Sequence, residues 1–275
     1  MDDRLEANRR NWDERVALHA GSAFYDVAGW LSERRGPRPE ELRAVGDVAG
    51  RSLVHLQCHF GMDTLQWARA GATVTGVDFS ASAIAEATSL AERAGLADSA
   101  RFVCSDVYDA RAALGGARFD VAYVSLGSLC WLPDVARWAD VVAGLLAPSG
   151  VLYLHDVHPL SQVFDDEEGE TVAYSYFEEP EGYADDFPYT YTDGEARLDN
   201  TRTYWWNHSP GEIVGALLDR GLAVERLEEH DWTVFRQFPW LVEAPGGRFE
   251  IPAGRPRLPL AFTVIARAPA GAPVR

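Results

Sequence analysis

The chain has 275 residues, which fits one large domain or one domain with an elaboration. With 47% hydrophobic and 24% charged residues it has the make-up of an ordinary globular protein, and no apolar run reaches the ~20 residues of a membrane span. The net charge of −17 disfavours a nucleic-acid partner, because an enzyme of that kind presents a basic stripe to phosphates and none is visible here.

All 25 basic residues are arginine. The absence of lysine excludes Schiff-base, Walker-A and kinase-type lysine chemistry. Cys58, Cys104 and Cys130 are odd in number and lack metal-ligand spacing, and the charged N-terminus lacks a signal-peptide core. A cytoplasmic protein is the expectation.

In chain order, residues 4–19 and 22–34 read as helices, with Leu5, Trp12, Val16 and Leu18 as an apolar stripe in the first. Gly36-Pro37-Arg38-Pro39 breaks the pattern. Residues 52–56 form a short, mostly apolar run, as a buried parallel strand does. A turn at 57–61 follows, then a helix over 62–70 and a second strand over 73–77 with Asp78 at its tip. Ser80 is a good N-cap for a helix running to about 94. Strands are expected at 101–104 and 119–124, a helix at 133–146 and a strand at 151–154. Segment 160–206 opens acidic and then carries aromatic runs at 172–177, 189–191 and 201–206, which suggest extended strands. Ser209-Pro210-Gly211-Glu212 is a capping box with proline at the first helical position. Strands at 222–229 and 260–266 flank a loop over 230–259. The alternation of strand and helix makes the chain α/β.

In an open α/β sheet, ligands sit beyond the carboxyl ends of the strands. A turn there offers free backbone N–H groups, and glycine permits close approach. An acid roughly 20 residues on, at the next strand tip, suits the two hydroxyls of a ribose. The stretch from residue 51 to Ser80 therefore argues for a nucleoside-bearing cofactor.

At these residues the chain resembles motifs I and II of the class I S-adenosylmethionine-dependent methyltransferases, and the resemblance continues to about residue 153. The family usually shows D-x-G-x-G-x-G; this chain has His55, Gln57, His59 and Gly61 in those places. The resemblance implies a Rossmann-like, seven-stranded, mostly parallel sheet with an antiparallel last strand, helices on both faces and a small antiparallel β cap. The core covers 46–159 and 207–267. Residues 1–45 form a helical lid, 160–206 an inserted acceptor cap or a dimer interface, and 268–275 a flexible tail.

It also implies S-adenosylmethionine as cofactor and S-adenosylhomocysteine as product. Gln57, His59 and Gly61 wrap the methionine part, Asp78 with Phe79 holds the ribose, and Asp106 and Val107 meet the adenine. Ser125 stands where cofactor and acceptor meet, and its surroundings lack the N-P-P-Y sequence of base-amine methyltransferases. Trp131 floors the adenine or packs in the core. Trp12, His19 and Tyr25 are candidates to close over the site.

Methyl transfer from a sulfonium requires alignment and exclusion of water, with a base where the acceptor starts protonated. His158, then His208, then His155 are the candidate catalytic groups, because histidine titrates near neutrality. Tyr174, Tyr204, Trp205 and Trp206 are candidate acceptor contacts. No metal centre is expected, since neighbouring residues such as His155 and Asp156 on a strand face opposite ways. The partner is a small-molecule acceptor with an oxygen or nitrogen nucleophile, and the protein a monomer or homodimer. The alternatives are a non-catalytic ligand-binding module and an NAD(P)-dependent oxidoreductase; the second needs G-x-G-x-x-G, whose first two glycines are missing.

Overall fold

The computed structural model describes residues 2–165 and 167–271. In chain order the strands are β1 (Ser52–Leu56), β2 (Thr73–Asp78), β3 (Ala100–Cys104), β4 (Phe119–Val124), β5 (Leu146–Val157), β6 (Tyr183–Asp186), β7 (Arg202–Trp205), β8 (Ala223–His230), β9 (Trp232–Thr233), β10 (Val242–Ala244), β11 (Arg248–Glu250) and β12 (Ala261–Arg267). The helices are α1 (Asp3–Ala20), α2 (Val27–Glu33), α3 (Pro39–Val45), α4 (Met62–Arg69), α5 (Ala81–Arg93), α6 (Ala110–Ala113), α7 (Val135–Leu145) and α8 (Pro210–Asp219). Seven strands form one sheet in the order β3-β2-β1-β4-β5-β12-β8. The first five run parallel, and β12 is antiparallel to both β5 and β8. This is the Rossmann-like arrangement that the sequence implied. No described helix is long and apolar enough to cross a membrane.

Strand periodicity sorts the core into two layers. Val54, Leu56, Ala122, Val124, Leu152 and Leu154 face α7 and α8. Leu53, Val121, Tyr123, Val151 and Tyr153 face the opposite side, with Val45 of α3 and Trp67 of α4. A third cluster joins Val16, Trp30, Leu65 and Leu90, and so fastens α1 and α2 to α4 and α5. Both faces of the central strands are thus covered, which is why β1 reads as an almost unbroken apolar run.

The structure departs from the sequence reading in four places. Helix α3 starts at Pro39, where a break was expected; proline is tolerated at a first helical position, and the Glu41 carboxylate accepts from the Arg38 N–H at 2.7 Å. Within 160–206, only β7 coincides with an expected aromatic run. It pairs with β6, whereas 172–177 and 189–191 are irregular. Segment 230–259, expected to be loop, contains the small antiparallel sheet β10-β11-β9. The expected tail begins as ordered backbone: the Ala268 N–H donates to Gly150 O at 2.9 Å, and residues 272–275 lie outside the described residues.

The insertion is tied to α1 by side-chain amides. Asn8 donates to Tyr204 O at 2.8 Å and accepts from the Tyr204 N–H at 2.7 Å, so one asparagine occupies both backbone groups at the edge of β7. Asn11 donates to Asn200 O at 2.6 Å, and the Glu14 carboxylate accepts the N–H groups of Asp199 and Asn200. Both amides are fully buried, so these bonds form away from competing water.

Candidate active site

The chain leaves β1 for β2 on one side, while β4 lies on the other, so a crevice opens beyond the carboxyl ends of β1 and β4. A cavity open on one side occupies that place. Along the sheet edge from β3 to β4 it meets Asp106, Asp78, the loop after β1 and Ser125. Strands spaced by ~4.8 Å make that path about 14 Å long.

The loop turns through three left-handed residues, Gln57 (φ 58°), His59 (φ 50°) and Gly61 (φ 79°). At Gly61 a Cβ would stand 2.8 Å from the Phe102 ring and 2.9 Å from Ala87 Cβ, so only glycine fits. At the other two positions the left-handed conformation costs about 1–2 kcal/mol each. Specific bonds offset it. Gln57 Nε2 donates to Ser128 O at 2.8 Å, and the His59 N–H donates to Asp78 Oδ2 at 2.8 Å. The Cys58 N–H donates to Val77 O at 3.0 Å, and His59 Nε2 hydrogen-bonds with His19 Nδ1 at 2.9 Å. The chain therefore keeps the backbone course of a glycine-rich turn with side chains added to it.

Asp78 Oδ1 accepts from the Ser80 N–H at 2.9 Å, and burial lifts its carboxyl to about 6 despite these bonds. Asp106 caps the turn after β3 by accepting from the Tyr108 N–H at 2.9 Å. His55 is buried beneath the loop, between Thr64 Oγ1 at 2.7 Å and Ser125 Oγ at 3.1 Å; burial pushes it down to about 3, so it is neutral. Above the cavity, Trp12 packs edge-on against His59 and Trp131, and the Tyr25 and Tyr191 hydroxyls meet at 2.5 Å.

The donor and acceptor set suits an adenosyl amino acid. Two carboxylates stand one strand apart, and Gln57 Oε1 is an acceptor with no partner among the described residues. Residues 54–154 match the family model described as a methyltransferase domain. The chain carries a methyltransferase domain over residues 54–154. It is similar to the ubiquinone biosynthesis O-methyltransferase of Psychrobacter cryohalolentis, 34% identical over 141 residues, which cover 49% of this chain and 54% of that protein. The Psychrobacter arcticus enzyme of the same name is 34% identical over 119 residues, covering 42% and 46%. The match thus spans about half the length of these curated relatives.

Among solved structures, an S-adenosylmethionine-dependent methyltransferase from Mesorhizobium loti shares the fold, with TM-score 0.55 and 21% identity over 89% of this chain and 100% of that one. A second, described as putative, from Listeria monocytogenes gives TM-score 0.57 and 17% identity over 83% and 96%.

In this methyltransferase domain the cavity wall contains Tyr25, Gln57, His59, Gly61, Asp78, Phe79, Asp106, Val107, Ser125 and Trp131, the full set that sequence reasoning singled out for the cofactor. Trp12 lines it too, and His19 stands behind His59 with its Nε2 2.5 Å from Thr190 Oγ1. The three histidines expected to act in catalysis lie off the wall. His155 hydrogen-bonds with Thr263 Oγ1 at 2.9 Å and stacks on Trp232, facing the side of the sheet that bears α3. His158 accepts from the Leu160 N–H at 3.1 Å and so donates through Nε2 to Glu229 at 2.9 Å. His208 donates through Nε2 to Leu132 O at 2.7 Å, holding that wall residue from behind.

The four expected acceptor contacts are also elsewhere. Tyr174 and Trp205 pack with Tyr183 in a cluster of their own, Tyr204 faces Asn8, and the Trp206 N–H donates to Cys130 O at 2.8 Å. They fasten the insertion to the core.

Sequence reasoning did not single out Asp63 or Tyr191 and weighed Asp156 only as a metal ligand. Asp63 lies on the cavity wall in the first turn of α4. Asp156 collects the N–H groups of Gly127, Ser128 and Leu129, and so shapes the wall after β4. Tyr191 reaches the wall from an irregular stretch of the insertion. Among the described residues, Glu178, His208 and Glu212 bring three potential ligand atoms within 4.8 Å of one another. His155 and Asp156 diverge, as alternation on a strand requires.

Proposed function

We propose that the protein transfers a methyl group from S-adenosylmethionine to an oxygen or nitrogen of a small-molecule acceptor by in-line displacement. The observation that carries this reading is the convergence of Asp106, Asp78 and the loop 57–61 on one cavity in the family's order. When bound, the cofactor supplies a methyl group already activated on a sulfonium. Asp78 accepts from the ribose hydroxyls, and Asp106 with the Val107 backbone orients the adenine. The loop amides and Gln57 position the amino-acid end.

Trp12, Tyr25, Trp131 and Tyr191 exclude water and offer aromatic faces to positive charge. His59 and His19 stay neutral: burial holds His59 well below its ordinary range and His19 at about 3. They therefore add no repulsion to a bound cation. An aromatic entrance and an acidic chain suit a small acceptor rather than a polyanion; the two curated relatives are named as O-methyltransferases.

Calorimetry with S-adenosylhomocysteine tests the reading. Micromolar binding is expected in the native protein and loss of at least tenfold in Asp78→Ala. Absence of binding in the native protein overturns it.

A further inference from the structure

The family's motif opens with an acid at position 55, and this chain has a histidine there. His55 borders the same cavity but cannot replace a carboxylate electrostatically, because it is buried and neutral. A cationic group entering this end of the cavity still needs a counter-charge. Asp63 supplies one. It lines the cavity eight residues further on, in the first turn of α4, where the helix dipole tolerates an acid.

Its bonds are to neutral groups: Oδ1 accepts from Gln66 Nε2 at 3.1 Å and Oδ2 from Ser125 Oγ at 3.4 Å. The nearby cation, Arg38, is engaged with Glu41 at 3.1 Å. Burial raises Asp63 from its ordinary value, against the attraction of Arg38. His55 then has a defined part. Ser125 gives its hydroxyl proton to Asp63, so it accepts from His55 Nε2–H, and the imidazole orients the serine that orients the acid.

We propose that Asp63 binds the α-ammonium of the cofactor's methionine moiety, with His55 and Ser125 as its positioning residues. The carboxylate has moved from the end of β1 to the start of α4, while the end of the ligand it serves is unchanged. This inference rests on the methyltransferase reading above.

The test compares two ligands that differ only in the amino group. One is S-adenosylhomocysteine; the other is its deaminated analogue, the 3-carboxypropyl thioether of 5′-deoxyadenosine. Calorimetry is run on the native full chain and on Asp63→Asn. Removing the amino group is expected to weaken binding to the native protein about 10- to 100-fold, the range of a charge-assisted hydrogen bond. In Asp63→Asn the two ligands should bind within about twofold of each other, at the native affinity for the deaminated one. A deamination penalty equal in both proteins overturns the inference and leaves the proposed function standing. Binding of neither ligand to the native protein overturns the proposed function itself. Should Asp63→Asn fail to fold, Asp63→Glu carries the same comparison, because displacing the charge by one methylene must shrink the penalty; an unchanged penalty overturns the inference.

Discussion

Arg15 is the buried charge whose surroundings explain it least. It is 8% exposed, joins no ion pair among the described residues, and its Nε has no acceptor. Its guanidinium lies 5.0 Å from the Trp12 ring, and burial lowers its pKa. The ring face returns about 1–2 kcal/mol, less than the several kcal/mol that desolvating an ion costs. Arg15→Met keeps the length and removes the charge. It should raise the melting temperature of the ligand-free protein by about 2–4 °C, a gain of about 1 kcal/mol in a chain of this size. Differential scanning calorimetry decides it, and an unchanged or lower transition refutes it. Gly61 has the opposite character, since both its φ of 79° and the Phe102 ring at 2.8 Å reject a Cβ. Gly61→Ala should therefore cost about 2–4 kcal/mol, from the left-handed backbone together with overpacking. A shift of less than about 1 kcal/mol in urea unfolding counts against that account.

At the level of elements, β1, β2, β4, β12 and the second half of β5 were legible because each is a short, mostly apolar run buried on two faces, which no surface segment needs to be. Ends set by local chemistry were legible too. Ser209 accepts from the Glu212 N–H with Pro210 at the first helical position, as its four-residue signal implies. Strands β9, β10 and β11 are two or three residues long, too short for any period to register. The site divides in the same way. Residues at the tips of β1 to β4 could be placed, since the topology carries those tips to one crevice. The direction of a side chain was harder: His155, a strand residue one step from Asp156, faces Thr263, while Asp156 faces the loop after β4. Asp63 was hidden because its importance depends on the lack of an acid at position 55. That lack is visible in the sequence, but what fills it is a question of packing.

Over the whole molecule, the histidines fix the response to acid. Six of the seven, His19, His55, His59, His155, His158 and His230, are held below their ordinary value near 6.5, with burial the main cause. Their folded pKa values are depressed, so below about 6.5 the unfolded chain binds more protons and stability falls as pH falls toward about 3. Five groups pull the other way, two of them Asp63 and Asp156, which burial raises. Burial raises Asp78 to about 6, and burial with the neighbouring Glu212 raises Glu178 to about 7. His208 is raised as well: burial opposes the shift, but bonds to Glu212 and Leu132 O outweigh it. Six histidines against five such groups set the sign. The melting temperature should drop between pH 7 and pH 5, and His19→Gln should flatten that slope. A transition that rises on acidification contradicts the balance.

The position of β12 has a consequence for how the protein comes into being. This strand follows every other strand of the large sheet in the chain, yet lies inside it, between β5 and β8. A nascent polypeptide leaving the ribosome can close β1 to β5 around α4, α5 and α7 while translation continues, but β8 has no place to pair until residues 261–267 emerge. At about 5–20 residues per second, the roughly 110 residues between β5 and the end of β12 occupy several seconds to about 20 seconds. Through that interval the open edge of β5 is available to any other unpaired strand. Synthesis thus gives the parallel half of the sheet a head start, and a stalled or shortened message would release a chain with its cofactor crevice outlined and its far edge unsealed.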